Sequence, residues 1–141
     1  MIEYQCRMGL RIKRRITMEM KFYRCARCGQ IVAIVKGTGA PLVCCGEPMK
    51  EIVPCTTDAS VEKHVPVYEV TGNKVKVKVG EVAHPMLPEH YIEWVSLKTK
   101  FGNQRKALKP GDEPCVCFSI CDGDEVQEVY AYCNLHSLWK K

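Results

Sequence analysis

Ten cysteines and four histidines in 141 residues pose the first chemical question: whether the sulfurs bond to one another or to a metal. Cys25-Ala26-Arg27-Cys28 is followed by the adjacent pair Cys44-Cys45. That spacing gathers four thiolates into one short loop-closed unit and suits tetrahedral zinc or a single iron ion. It speaks for a metal without choosing which. A zinc ribbon usually ends in a second Cys-x-x-Cys knuckle. Here the last two cysteines are neighbours, so their side chains must diverge to reach one ion, and a distorted tetrahedron is expected. Cysteines that merely pack as small apolar residues have no reason to adopt this spacing.

A second set lies further along. A lone histidine is more often a packed or surface residue than a ligand, but His64, His84, His90 and His136 all fall in the later part of the chain. His84 and His90 bracket Pro85-Met86-Leu87-Pro88-Glu89, where two prolines forbid a regular helix and leave a stiff loop able to aim both rings inward. Cys133-Asn134-Leu135-His136 directly follows a predicted strand, at a turn that can present a sulfur and an imidazole together. Four imidazoles and a thiolate are one donor too many for a closed tetrahedral zinc site. They suit a metal of five or six positions that changes oxidation state, and iron is the natural candidate. Five protein donors leave one position for a small molecule, and a thiolate opposite it would push electron density through the metal, as axial thiolate does in haem proteins.

The elements that must position these groups are predicted to be strands. The apolar fraction of 46% is that of a globular chain, and no apolar run approaches the length of a spanning helix. A soluble protein with no membrane association is expected. The first nineteen residues carry five basic side chains against Glu3 and Glu19, but no apolar stretch follows as a secretory signal requires. A reducing, cytoplasmic setting is therefore expected, where structural disulfides are rare. Residues 1–19 are set aside as a basic extension that need not be native. The rest of the formal charge of +5 is too small an excess to argue for nucleic acid.

Residues 20–56 read as one unit: a strand at Lys21 to Arg24, the cysteine knuckle, an apolar strand from Ile31 to Val35, then the turn cluster Gly37 to Pro41. So short a unit buries little apolar surface, and a bound metal would supply much of its stability. From residue 57 to 141 the pattern becomes period-two alternation with frequent turn signals. Val65 to Val70 and Lys74 to Val79 flank Thr71-Gly72-Asn73 as a hairpin. Further strands are predicted at Tyr91 to Leu97, Gln104 to Leu108, Pro114 to Ile120 and Val126 to Tyr132. An all-β chain is expected, with a small metal-binding domain followed by an immunoglobulin-like sandwich that lacks the cysteine and tryptophan spacing of true immunoglobulin domains.

From Phe22 to Lys141 the chain resembles the desulfoferrodoxins, the two-iron superoxide reductases. The resemblance rests on Cys25 to Cys28, Cys44-Cys45-Gly46-Glu47-Pro48-Met49, Glu62-Lys63-His64-Val65-Pro66, the loop from His84 to His90, and Tyr132-Cys133-Asn134-Leu135-His136. It implies a desulforedoxin-like first domain with an iron on Cys25, Cys28, Cys44 and Cys45, while the four thiolates by themselves leave zinc open in a recombinant sample. It implies a catalytic iron with His64, His84, His90 and His136 equatorial and Cys133 axial, and a homodimer. The implied activity is one-electron reduction of superoxide to hydrogen peroxide for oxidative-stress defence, with rubredoxin as a typical electron donor. Lys63 would attract the anion. Glu62 would cap the open position in the oxidised state and withdraw on reduction.

Some residues fall outside the family pattern. Cys115, Cys117 and Cys121 share a parity along one predicted strand, and inward packing is the expected reason. Cys6 and Cys55 have no assigned role. Lys74, Lys76 and Lys78 are expected to form an outward charged face. Two other function classes stay open on the residues alone: an electron carrier whose irons bind no substrate, and a zinc-ribbon interaction module, which would leave the five later donors without a purpose.

Overall fold

Between residues 74 and 79 lysine and valine alternate. Val75, Val77 and Val79 are fully buried while Lys74, Lys76 and Lys78 stand in solvent, as a strand with one face on a core requires. The outward charged face is as the sequence predicts. The computed structural model describes residues 19–57 and 64–141, and among these there are twelve strands and no helix. No described helix is therefore long and apolar enough to cross a membrane.

The small first unit holds β1 (Phe22–Arg24), β2 (Ile31–Ala33), β3 (Val43–Cys44), β4 (Glu47–Pro48) and β5 (Lys50–Glu51). Its sheet runs β2-β1-β5, and β3 pairs with β4 as a separate hairpin. The remainder is an immunoglobulin-like sandwich of β6 (Pro66–Thr71), β7 (Lys74–Val79), β8 (Ile92–Thr99), β9 (Asn103–Ala107), β10 (Cys115–Ser119), β11 (Val126–Cys133) and β12 (Ser137–Lys140). One of its sheets has the order β10-β7-β6 and the other β12-β11-β8-β9, with every pairing antiparallel. The predicted hairpin closes at Gly72-Asn73, with Gly72 at φ 57°, the positive φ that two-residue hairpin loops demand.

The sandwich core joins Val75, Val77, Val79, Val116 and Phe118 from one sheet to Ile92, Val95, Leu97, Val129, Ala131 and Cys133 from the other. The opposite face of the second sheet is covered as well. Phe22 of the small unit packs with Tyr130, Tyr132 and Leu138, and Trp94 and Ile52 lie against this cluster. Every residue of β11 from Val129 to Cys133 is consequently buried, whichever way its side chain points.

The expectation of inward packing for Cys115, Cys117 and Cys121 is overturned. Val116, Phe118 and Ile120 are the buried set, whereas Cys117 and Cys121 are exposed and Cys115 half-buried. Both parities of this stretch are apolar, so its own periodicity left the face open. The partner strand decides it: Val116 and Phe118 stand opposite Val77 and Val75, and Cys115 and Cys117 opposite Lys78 and Lys76. The free edge of β10 is capped by Lys106, whose Nζ donates to the Cys117 carbonyl, and by Gln104, whose Nε2 donates to the Ser119 carbonyl at 2.7 Å. Such capping suppresses edge-to-edge pairing.

Strand β12 is absent from the sequence prediction, since four residues carry too little periodicity to read. It is held from both sides. β11 pairs with it along its length, and on its other edge Cys55 accepts from Lys140 N at 2.8 Å and donates to the Leu138 carbonyl at 2.9 Å. Cys55 is thus a backbone strap where the small unit passes into the sandwich.

Candidate metal centres

The four cysteines of the small unit converge. Cys25 and Cys28 sit on the knuckle after β1, and Cys44 and Cys45 on the turn joining β3 to β4. Their sulfurs all lie within 4.8 Å of one another, with Cys28–Cys44 at 3.7 Å and Cys44–Cys45 at 3.9 Å. Four thiolates about 2.3 Å from one ion in a tetrahedron would stand about 3.8 Å apart, so the spacing fits a tetrahedral metal. Two neighbouring residues reach one point because Cys45 adopts a left-handed backbone, φ 52°, followed by Gly46 at φ 76°. That conformation is costly for a residue with a side chain, and here it turns the second sulfur back toward the first.

The electrostatics of the quartet are uneven. The Cys25 thiol is held down to about 6, chiefly by the backbone amide of Cys28 and secondarily by that of Arg27, against the opposing effect of burial. Cys44 is pushed up to about 12 by its hydrogen bonds with Cys28 and Cys25, and Cys45 is raised, with Cys28 the largest cause. Once Cys25 is ionised, its neighbours resist following it. A bound cation removes that repulsion and allows all four thiolates to persist together.

The second group assembles at one end of the sandwich. His64 lies two residues before the start of β6. His84 and His90 lie in the loop between β7 and β8, and Cys133 and His136 flank the hairpin turn between β11 and β12. One ligand atom from each of these five residues lies within 4.8 Å of all the others. The imidazoles form a square. Neighbouring ring centroids are 4.7 Å apart for His64–His136, 4.9 Å for His136–His90, 4.6 Å for His90–His84 and 4.7 Å for His84–His64. Each ring is turned 66° to 80° from its neighbours, and the His64–His90 diagonal is 6.3 Å. Half of that diagonal, about 3.2 Å, is the reach of a metal–nitrogen bond of about 2 Å plus the radius of an imidazole ring.

Ring orientation has local causes. His84 Nδ1 donates to the Pro85 carbonyl at 2.7 Å, and since a carbonyl only accepts, this fixes the tautomer that leaves Nε2 as the donor atom toward the centre. His136 points Nδ1 inward, 3.0 Å from His64 Nε2 and 3.7 Å from Cys133 Sγ. The loop that the two prolines stiffen is closed by reciprocal bonds between Leu87 and His90, at 2.9 and 3.0 Å. Cys133 is fully buried and His64 and His84 nearly so, whereas His136 is exposed. The donor set, four imidazoles and a thiolate on a half-open square, fits iron better than closed tetrahedral zinc.

Sequence reasoning gave no side-chain role to two residues beside this group. Trp139 stacks on His64 with centroids 4.7 Å apart and planes 17° apart, and its Nε1 donates to the His136 carbonyl at 3.1 Å. Asn134 bonds the segment on either side of His90. Position alone, three residues after one candidate donor and one residue after another, was the available signal. Glu62 and Lys63 lie outside the described residues, as do Cys6 and most of the basic extension.

Comparison with known proteins follows the same division. A family model described as "Desulfoferrodoxin" matches residues 56–141, and one described as "Desulfoferrodoxin, N-terminal domain" matches residues 17–52. A desulfoferrodoxin homolog of Archaeoglobus fulgidus is 51% identical over 125 residues, covering 89% of this chain and 98% of that protein. The desulfoferrodoxin of Nitratidesulfovibrio vulgaris is 48% identical over 124 residues, covering 86% and 95%. Among solved structures, the superoxide reductase from Treponema pallidum superposes with a TM-score of 0.77 at 41% identity, covering 87% of this chain and 98% of that one. On these matches over nearly its whole described length, the chain belongs to the desulfoferrodoxin family.

Proposed function

We propose that this protein is a superoxide reductase, and that His64, His84, His90, His136 and Cys133 hold the iron at which superoxide gains one electron and two protons to become hydrogen peroxide. The observation that carries the reading is the convergence of five donors, from segments up to 72 residues apart, on one square of imidazoles beside a buried sulfur. The names of the relatives above, one of them a superoxide reductase at 41% identity, agree with it.

Ferrous iron held by these five residues would supply the electron. The chain's own residues supply the setting. A buried anionic sulfur at Cys133 favours the oxidised metal electrostatically. The exposed edge at His136 leaves a side on which a small anion can approach. Lys63, next to His64 in sequence, draws that anion in, an attraction of about 1 to 4 kcal/mol at close range depending on screening. Glu62 acts as the withdrawable carboxylate on the same segment.

The reading extends to the rest of the molecule. Cys25, Cys28, Cys44 and Cys45 hold a second iron, replaceable by zinc in recombinant material. The chain divides into a metal-binding domain over residues 20–56 and a catalytic domain over 57–141, acts in the cytoplasm as a homodimer, and takes electrons from rubredoxin.

The test is metal content per chain together with superoxide consumption by the reduced protein, in wild type and in Cys133→Ser. We expect two irons per chain in wild type and at least a hundredfold slower consumption in the variant. Full activity of Cys133→Ser would remove the thiolate from the mechanism.

A further inference from the structure

From Glu128 opposite Lys98 the ladder between β8 and β11 runs in register as far as Tyr132 opposite Trp94 and then slips, so that Cys133 stands opposite Ile92. A slip of this kind disrupts the ladder locally and re-aims the chain. It occurs where the strand delivers its sulfur and where the facing strand receives the loop carrying His90. Beyond it, one residue takes over the pairing. The Asn134 backbone N–H donates to the Tyr91 carbonyl at 3.1 Å, its Oδ1 accepts from Tyr91 N at 2.9 Å, and its Nδ2 donates to the Glu89 carbonyl at 3.0 Å. The side-chain amide thus replaces the missing strand neighbour, and it grips the backbone on both sides of His90.

From this arrangement, and resting on the metal-centre reading above, we infer that Asn134 is the positioning residue that fixes His90 relative to Cys133. The bonds between His90 and Leu87 close the loop on itself, and the bonds from Asn134 fasten that closed loop to the Cys133 turn. His64 arrives from a segment that these bonds do not involve. Cys133 and His136 are carried by the β11–β12 pairing, in which Cys133 faces Ser137. Loss of the Asn134 side chain therefore frees His90 selectively. An asparagine that merely suits a hairpin turn has no specific link to His90, and the two roles are separable by experiment.

The test uses the full chain loaded with iron and challenged with an excess of a ferrous chelator. Aliquots taken during the challenge are reoxidised, and the iron left in each group is read from the visible thiolate-to-ferric charge-transfer bands, which differ between four sulfurs and one. Asn134→Ala removes both side-chain bonds. Asn134→Asp keeps an acceptor for Tyr91 N but sets a carboxylate oxygen against the Glu89 carbonyl. Both are expected to release iron from the histidine group about 10 to 100 times faster than wild type, with release from the cysteine group unchanged. In a cycle with His90→Ala, the double variant should release iron little faster than His90→Ala alone, because the two changes act on one donor. Wild-type release in the folded Asn134 variants, or effects that simply add to that of His90→Ala, would overturn the inference. Should Asn134→Ala fail to fold, Asn134→Asp carries the same cycle. Wild-type protein holding no iron at the histidine group would sink the functional reading, and this inference with it.

Discussion

At the scale of single residues, the chemistry is carried by donors whose types were readable and braced by partners that were not. A Cys-x-x-Cys knuckle, a vicinal pair and a histidine loop stiffened by prolines announce themselves because ligand chemistry restricts residue type and spacing. Trp139 does not, since its two roles depend on His64, 75 positions away, and on the carbonyl of His136. Trp139→Ala should lose both contacts and cost about 3 kcal/mol of stability, as removal of a large aromatic does. Trp139→Phe keeps a ring for stacking, loses the indole N–H, and should cost about 1 kcal/mol. Denaturant unfolding of the two variants beside wild type checks both figures, and equal losses would mean that stacking contributes little.

At the scale of elements, strands with polar–apolar alternation were legible and those without it were not. The lysine–valine strand β7 could be assigned a core face from sequence alone. Strand β10, with apolar residues on both parities, could not, and only its register with β7 fixes the side its cysteines take. β12 was too short to read. The elements of the larger sheet are also joined by charge. Glu128 on β11 accepts from Lys98 Nζ of β8 at 3.0 Å, from Lys140 Nζ of β12 at 3.2 Å and from the Tyr130 hydroxyl at 2.8 Å. Burial pushes its carboxyl up, but the hydrogen bonds from Lys98, Tyr130 and Lys140 outweigh it, and the net shift is downward from 4.5. A carboxyl depressed on folding contributes stability above its unfolded value and loses it as the pH falls through the folded one. Glu128→Gln should therefore be about 2 kcal/mol less stable than wild type at neutral pH. The gap should close as the pH drops below 4.5. Because acid protonates the metal-binding groups of both proteins alike, the difference between their unfolding curves at each pH is the quantity to follow, and a gap independent of pH would refute the assignment.

At the scale of the whole molecule, the small unit is a cover as well as a metal carrier. Phe22 is 1% exposed, lies 4.9 Å from the Trp94 ring and 5.6 Å from that of Tyr130, and seals the outer face of the sheet that delivers Cys133. The two patterned regions were separable in sequence, but this contact was not, because a lone phenylalanine beside a cysteine knuckle looks like part of that unit's own small core. Phe22→Ala should cost about 3 to 5 kcal/mol and, by loosening the docking, let the small unit melt before the sandwich. Calorimetry would read this as two transitions in place of one. Burial of the end of β11 in the sandwich core has a further effect on durability. Oxidants diffusing in from bulk meet the outward thiols of Cys117 and Cys121 well before the sulfur of Cys133, which lies enclosed between two layers of side chains. Chemical wear should accumulate on the rim of the molecule while the sulfur at its working end stays intact.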